Sequence, residues 1–228
     1  MVLLDEPEAN DALLVLDRAL IEAVRARVAA GPRDRADASA IALRQLLDGA
    51  SVAEAAAVKA VWGRLEVATG TALVVCGGMA QALTTDRYGL GSRPMSADDA
   101  LKAVEAGSRA VIDLSLDRPW WGRLLARPEL KIVAALPDDR RGRPQAFVVS
   151  RETSGPTGDD RSFWVTDSRW SEGKIAEAMG EAGLVADPLA AAGGLKLFML
   201  TGYVQAEDGR LKSAPGRLSG VIGAAPIY

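Results

Sequence analysis

The apolar period of this chain changes once, and that change limits what it can fold into. Residues 9–69 carry leucine and valine at three- and four-residue spacing, the mark of amphipathic helix. From Thr71 the apolar residues come in short runs broken by glycine and proline, which predicts strands alternating with helices. The first third is therefore expected to be all helical and the rest mixed α/β.

Within the helical part, Leu13, Leu16, Leu20, Val24 and Val28 are expected to form one inward face, ended by Gly31-Pro32. A second helix is predicted over residues 36–47, with Ile41, Leu43, Leu46 and Leu47 apolar and Asp48-Gly49 as the stop. Ser51 and Glu54 form a capping box, in which hydroxyl and carboxylate satisfy free amides at a helix start. The third helix then runs to Thr69, with Val58, Val61, Trp62 and Leu65 facing inward. Three helices of this size bury little by themselves, so an exposed apolar stripe would favour a dimer.

The later elements follow in order. A strand is expected over residues 72–75, then Gly77-Gly78 and a helix over 79–87. The glycine pair reads either as a phosphate loop or as a tight turn. Cys76, the sole cysteine, is either a buried strand-end thiol or a reactive one. Ser96 caps a helix to Ala106. Strands are expected over 110–114, 131–136 and 145–150, with a charged loop at 138–143. Trp120 and Trp121, flanked by Arg118 and Arg123, are either a stacking site for a planar anion or a short helix packing its indoles on the sheet. Residues 154–160 are a strong turn cluster, read as the seam between a middle and a C-terminal domain. Beyond it come a strand over 161–166, a helix capped by Ser171, a weakly marked strand near Val185, a long strand over 195–204, a short helix near 210–213 and a final strand over 221–227. That order approximates the split βαβ arrangement of ferredoxin-like domains.

Composition removes several function classes. The net charge is −3, with no broad basic excess, so nucleic acid is not the expected partner. No apolar run approaches the roughly 20 residues that span a membrane, and the acidic start lacks a basic leader region, so a cytoplasmic protein is expected. The chain has no histidine, which excludes Ser-His-Asp and Cys-His catalysis. With a single cysteine it has no internal disulfide and no Cys-x-x-Cys metal site. No cofactor or metal is expected, and chemistry here would rest on Arg, Lys, carboxylates, hydroxyls and backbone amides.

Three stretches carry a resemblance. The first is Leu73-Val74-Val75-Cys76-Gly77-Gly78 through Asp86-Arg87-Tyr88-Gly89. The second is Phe147-Val148-Val149-Ser150-Arg151-Glu152 with Pro156-Thr157-Gly158-Asp159-Asp160-Arg161-Ser162. The third is Gly202-Tyr203 through Asp208-Gly209-Arg210-Leu211, then Val221-Ile222-Gly223-Ala224-Ala225-Pro226. In order they resemble the dehydratase opening, its exit and the ACT-domain end of bifunctional chorismate mutase–prephenate dehydratase proteins, in a shortened alphaproteobacterial-type form. Residues 9–69 are similar to the all-helical chorismate mutase class.

The resemblance implies a multidomain α and α+β fold. Residues 1–70 would be a three-helix chorismate-mutase-like bundle, 71–155 a truncated α/β dehydratase-like lobe, and 156–228 an ACT-like, ferredoxin-like domain. It implies chorismate-to-prephenate rearrangement in phenylalanine and tyrosine biosynthesis, which needs a folded dicarboxylate and stabilised charge on the breaking ether oxygen. Arg27 matches a family substrate-binding arginine, and Thr69 sits near a family serine. Arg33 or Arg35 could replace the loop lysine, and Lys59 could contribute a further cation. Other family positions fall on Asn10, Ala38-Ser39 and Leu73, where the expected side chains are missing. The dehydratase threonine–arginine–phenylalanine motif falls on Gln145-Ala146-Phe147, so no dehydratase activity is expected. The effector turns fall near Glu172-Gly173-Lys174-Ile175 and Ala186-Asp187-Pro188-Leu189, so an aromatic amino acid is the effector the resemblance offers. It also implies a homodimer through the first helix. The alternative is a catalytically inactive descendant, a regulator that binds a small aromatic acid or a protein, with Trp120 and Trp121 as a ligand surface.

Overall fold

Helix α1 (Asp11–Ala29) lies against α3 (Val52–Thr69), with α2 (Ala36–Leu47) beside both. The computed structural model describes residues 11–29, 35–89, 93–152 and 154–228. The Ser51–Glu54 capping box is formed in both directions, Glu54 N to Ser51 Oγ at 3.3 Å and Ser51 N to Glu54 Oε2 at 2.7 Å. The inward face of α1 differs from the expected one. Ala23 and Arg27 are its buried residues, whereas Leu13, Val24 and Val28 are exposed. Small side chains let α1 approach α3 closely, and that choice turns the valine and leucine stripe outward.

The remaining elements are β1 (Leu73–Cys76), α4 (Gly78–Tyr88), β2 (Arg93–Pro94), α5 (Ala97–Glu105), β3 (Arg109–Asp113), a 3-10 helix (Trp120–Ala126), β4 (Lys131–Leu136), β5 (Ala146–Ser150), β6 (Asp160–Thr166), α6 (Glu172–Glu181), β7 (Ala186–Ala192), β8 (Leu195–Thr201), a second 3-10 helix (Gly209–Ser213) and β9 (Ser219–Pro226). All nine strands form one mixed sheet in the order β2-β1-β3-β5-β4-β9-β6-β8-β7. The seam expected near residue 155 therefore falls on a connection within a single sheet.

Strand alternation decides the layers. Val74, Ile112, Phe147, Ile132, Phe163 and Leu197 point to one face, covered by α5 and the first 3-10 helix. Val75, Val111, Val148 and Val133 point to the other, covered by α3 and α4. Further along that second face, Trp164, Phe198 and Leu200 pack on α6. The segment β6-α6-β7-β8-β9 has the spatial order β9-β6-β8-β7 with every neighbouring pair antiparallel, which is the split βαβ arrangement. Its second crossover helix is reduced to the short 3-10 turn at Gly209–Ser213.

Strand β7 carried little sequence signal because its residues, ADPLAAA, are poor in β-branched side chains. It sits at the sheet edge, where Pro188 is tolerated beside a register shift.

The two halves of the sheet meet at β4 and β9, which run parallel with Ile132 opposite Gly223. Gly223 has φ +147, and a Cβ there would collide with the backbone of Ile132. A side chain at this position would thus force the half-sheets apart. Gly223→Ala is expected to destabilise the protein by about 3 kcal/mol or more, measured by urea unfolding. An unchanged unfolding midpoint would show that the β4–β9 contact is dispensable.

Candidate functional site

The structure brings Arg27 and Thr69 together across 42 residues of sequence. Arg27 Nη2 donates to Thr69 Oγ1 at 3.2 Å, and the threonine hydroxyl donates onward to the Leu65 carbonyl at 2.7 Å. Arg27 is buried and Thr69 exposed, so the pair sits at the margin of the α1–α3 contact.

Of the other cations assigned to the same pocket, Arg35 and Lys59 have different partners. Arg33 lies outside the described residues. Arg35 is committed to Asp37 through Nε–Oδ1 at 3.1 Å and Nη2–Oδ2 at 2.5 Å. That paired guanidinium, with the Ala38 amide adding to it, holds the Asp37 carboxyl below its ordinary range against the opposing effect of burial. Lys59 lies apart from Arg27 and Thr69. Its Nζ lies 2.5 Å from Asp138 Oδ1, and it is ten residues from Thr69, about 15 Å along the helix axis. Among the described residues, Arg35 and Lys59 are thus not brought together with Arg27.

Where Lys59 does point, a polar cluster forms between the helices and the sheet. Lys59, Trp62 and Glu66 share a face of α3 through i, i+3 and i+7 spacing. Trp62 Nε1 donates to Ser39 Oγ at 3.2 Å, and Ser39 donates to Glu66 Oε1 at 2.6 Å. Arg87, near the end of α4, donates through Nε to Asp138 Oδ2 at 3.3 Å and through Nη1 to the Lys59 carbonyl. Gly63 makes this crossing possible, since a Cβ there would strike the Arg87 carbonyl and Nη1. Arg109 completes the charge set with a two-pronged bond to Glu152, at 2.7 and 2.5 Å.

Trp62, Glu66, Arg87, Arg109 and Asp138, with Tyr88 and Tyr228, line a cavity of about 50 Å³. That is room for a water molecule or two and not for a ring-bearing substrate. Burial pushes the Tyr88 hydroxyl up to about 12, against the pull of Arg87, so it stays a neutral donor. Lys59, Arg87 and Arg109 are each answered by a carboxylate or carbonyl of the chain itself.

The Gly77-Gly78 alternatives resolve in favour of the turn. Gly77 has φ +102, and the Asp113 carboxylate from the end of β3 lies where a Cβ would project. Asp113 Oδ2 accepts the Met79 amide at 3.1 Å, while Oδ1 accepts the Ser115 amide and hydroxyl at 2.9 and 2.8 Å. A carboxylate of the chain thus already occupies the positive end of α4. Cys76 is buried, and that burial, with Asp113 nearby, pushes its thiol above the ordinary range, the opposite of what a nucleophile needs.

Trp120 and Trp121 are likewise corrected as ligand candidates. Both are 1% exposed and belong to the central core. Trp120 Nε1 donates to the Asp113 carbonyl at 2.8 Å, and its ring meets Phe147 edge-on at 6.2 Å. No face of either indole is open for stacking on an anion.

Asp138, Arg87, Glu66 and Ser39 were not singled out by sequence reasoning. The α3 spacing Lys59-Trp62-Glu66 was a legible signal, because two charges sharing a face with a tryptophan predict a polar group packed inward. Asp138 looked like one charge among several in an exposed loop. Among the described residues, no group of three or more His, Cys, Asp or Glu side chains is placed to hold a metal, and no helix is long and apolar enough to cross a membrane.

No family profile and no curated protein matches the chain. Among solved structures it is similar to one described as GqqA, a novel type of quorum quenching acylases. The sequence identity is 14% and the TM-score 0.47, over 68% of this chain and 95% of that one.

Removing Asp138 would leave the buried Arg87 and the partly buried Lys59 without their shared counter-ion. Asp138→Ala is expected to cost about 3–5 kcal/mol in chemical denaturation. A loss within the range of an ordinary surface substitution would show that the cluster does not hold the helices to the sheet.

Proposed function

We propose that this chain is a chorismate-mutase-type relative that binds a carboxylated aromatic ligand rather than turning over a dicarboxylate. The observation carrying this reading is the fate of the expected cations. Arg27 keeps the position the resemblance assigns it and reaches Thr69, while Arg35 and Lys59 are paired with Asp37 and Asp138. A single arginine at the family's position suits an aromatic monoacid. A folded dicarboxylate needs a second cationic end and a donor at the ether oxygen. On this reading residues 1–70 descend from the helical mutase, 71–155 from one dehydratase lobe and 156–228 from an ACT domain, in a cytoplasmic protein of aromatic amino-acid metabolism.

The second reading is retained catalysis of chorismate to prephenate, favoured by the same Arg27–Thr69 contact between two elements the family uses. One assay separates the two. Purified protein is mixed with chorismate, its disappearance is followed by absorbance, and melting temperature is recorded with phenylalanine and phenylpyruvate. The binding reading expects no chorismate loss above background. It also expects a ligand-induced rise in melting temperature that Arg27→Ala abolishes. Turnover that Arg27→Ala abolishes would establish the mutase reading instead. Neither turnover nor a thermal response would sink both.

The protein is further proposed to be a homodimer through α1. Leu14, Ile21, Val24 and Val28 are exposed along one side of that helix, Val28 to 70%. Nineteen residues give a helix of about 28 Å, long enough for two copies to approach the roughly 1,000 Å² of a stable interface. Sedimentation equilibrium is expected to return a dimer that Ile21→Lys with Val24→Lys converts to a monomer. A monomeric parent protein would end the proposal.

A further inference from the structure

We propose that Arg161 forms the floor of an oxyanion site, for a carboxylate or phosphate group, in the cleft between loop 138–143 and the adjoining ends of β6 and β8. The cleft has a volume of about 490 Å³, and its walls include Arg140, Arg141, Arg143, Met199 and Tyr203. It lies at the start of β6, the opposite end from loop 167–171, and is separate from the Arg27–Thr69 pair.

The charge balance points to a missing anion. Arg140 is paired with Asp159. Asp160 is buried and spent on Thr157, accepting its amide and its hydroxyl, each at 2.7 Å. None of the ion pairs among the described residues includes Arg141, Arg143 or Arg161. The side chains lining the cleft therefore carry more guanidinium than carboxylate, and Asp139 of the same loop is spent on the Arg141 and Gly142 amides.

Arg161 is the unusual member. It is 3% exposed, yet its guanidinium contacts only neutral acceptors, with Nη1 donating to the Gly142 carbonyl and Nη2 to the Pro137 carbonyl, both at 2.9 Å. Its Nε is buried and has no hydrogen-bond partner. An arginine this deep ordinarily meets a carboxylate, because desolvating a cation is costly without a counter-charge. Burial lowers the affinity of this guanidinium for its proton, although Asp138, Asp139 and Asp159 act in the other direction from a distance.

Both carbonyls that now hold Arg161 belong to the loop that carries Arg141 and Arg143. Exchanging them for oxygens of a ligand would leave Arg141 as a rim, with Arg143, which now donates to the Pro188 carbonyl, beside it. The fork of a guanidinium matches carboxylate and phosphate oxygens alike, and the charge-assisted bonds are the strong ones. Met199 and Tyr203 give one wall an apolar surface, which suits an oxyanion borne on a small organic body.

The test follows the Arg161 Nε–Hε resonance in isotope-labelled full-length protein, assigned by its loss in Arg161→Lys. Inorganic phosphate, benzoate and chloride are titrated at matched ionic strength. The proposal expects a saturable shift with phosphate, with benzoate or with both, and the responding probe identifies the oxyanion. In Arg141→Gln, an exposed change that leaves the fold intact, the apparent affinity is expected to fall about tenfold, as loss of one charge-assisted contact should do. A resonance that does not move would overturn the site. So would a shift that chloride reproduces, or one that Arg141→Gln leaves unchanged, since either is an adventitious ion only.

Discussion

Asp138 supplies one buried carboxylate to two cations from different helices, and the relation of the helical layer to the sheet depends on it. Lys59 comes from α3, Arg87 from α4, and the carboxylate from the loop after β4. The backbone carbonyl of Asp138 also accepts the Tyr228 amide at 2.9 Å, so the chain beyond β9 joins the same knot. Charges this deep gain little over a well-packed apolar contact, but they are intolerant of misplacement. The arrangement therefore specifies where the helices sit more than it adds to total stability. Arg44 on α2 reinforces it from the other side, donating to carbonyls of Thr157, Asp159 and Ile227 and to the Thr157 hydroxyl. With Gly63 letting α4 cross closely over α3, the three helices are registered on the sheet at several points.

The sheet itself is joined as economically. Half of it is built around parallel strands β1, β2 and β3, the other half around a split βαβ unit, and each alone would expose an edge. Pairing β4 with β9 removes both edges at once. On one face the core then runs unbroken across the join. The rings of Phe147 and Phe163 meet at 4.4 Å although β4 and β9 separate their strands. Ala135 and Ala225, from the two intervening strands, belong to the same cluster and are small enough to leave the rings room. The join is thus secured by an aromatic contact above it and by the missing Cβ of Gly223 within it.

Much of this was legible in residues, and the failures have physical reasons. Helix α2, the Ser51 cap, the Ser96 and Ser171 caps and strands β3 to β6 follow directly from period and stop signals, because local propensity and burial agree there. The edge strand β7 was weakly marked, since alanine reports no preference and the neighbouring strand decides its pairing. The inward face of α1 was misjudged because apolar character was taken to mean burial, and close packing on α3 favoured Ala23 over Val24. In the candidate site, Arg27 and Thr69 were named together only through the family positions that the resemblance assigns them. Lys59 and Arg35 could not be placed, because a cation's role depends on which carboxylate reaches it first. For Lys59 that carboxylate is 79 residues away. The tryptophan pair left two readings open for a related reason, since flanking arginines suggest an open ring face and nothing local reveals burial; the structure takes the reading in which a short helix packs its indoles on the sheet.

The placement of the indoles has an optical consequence. Trp62 lies in the helical cluster, Trp120 and Trp121 in the central core, and Trp164 in the layer under α6. Trp170 is exposed, with Lys174 Nζ 4.4 Å above its ring. Each packing layer thus holds its own fluorophore, and one more faces the solvent. Collisional quenchers would reach Trp170 first, while the blue-shifted emission of the other four would redden layer by layer if the layers come apart in sequence, or all together if the knot at Asp138 makes them a single cooperative unit.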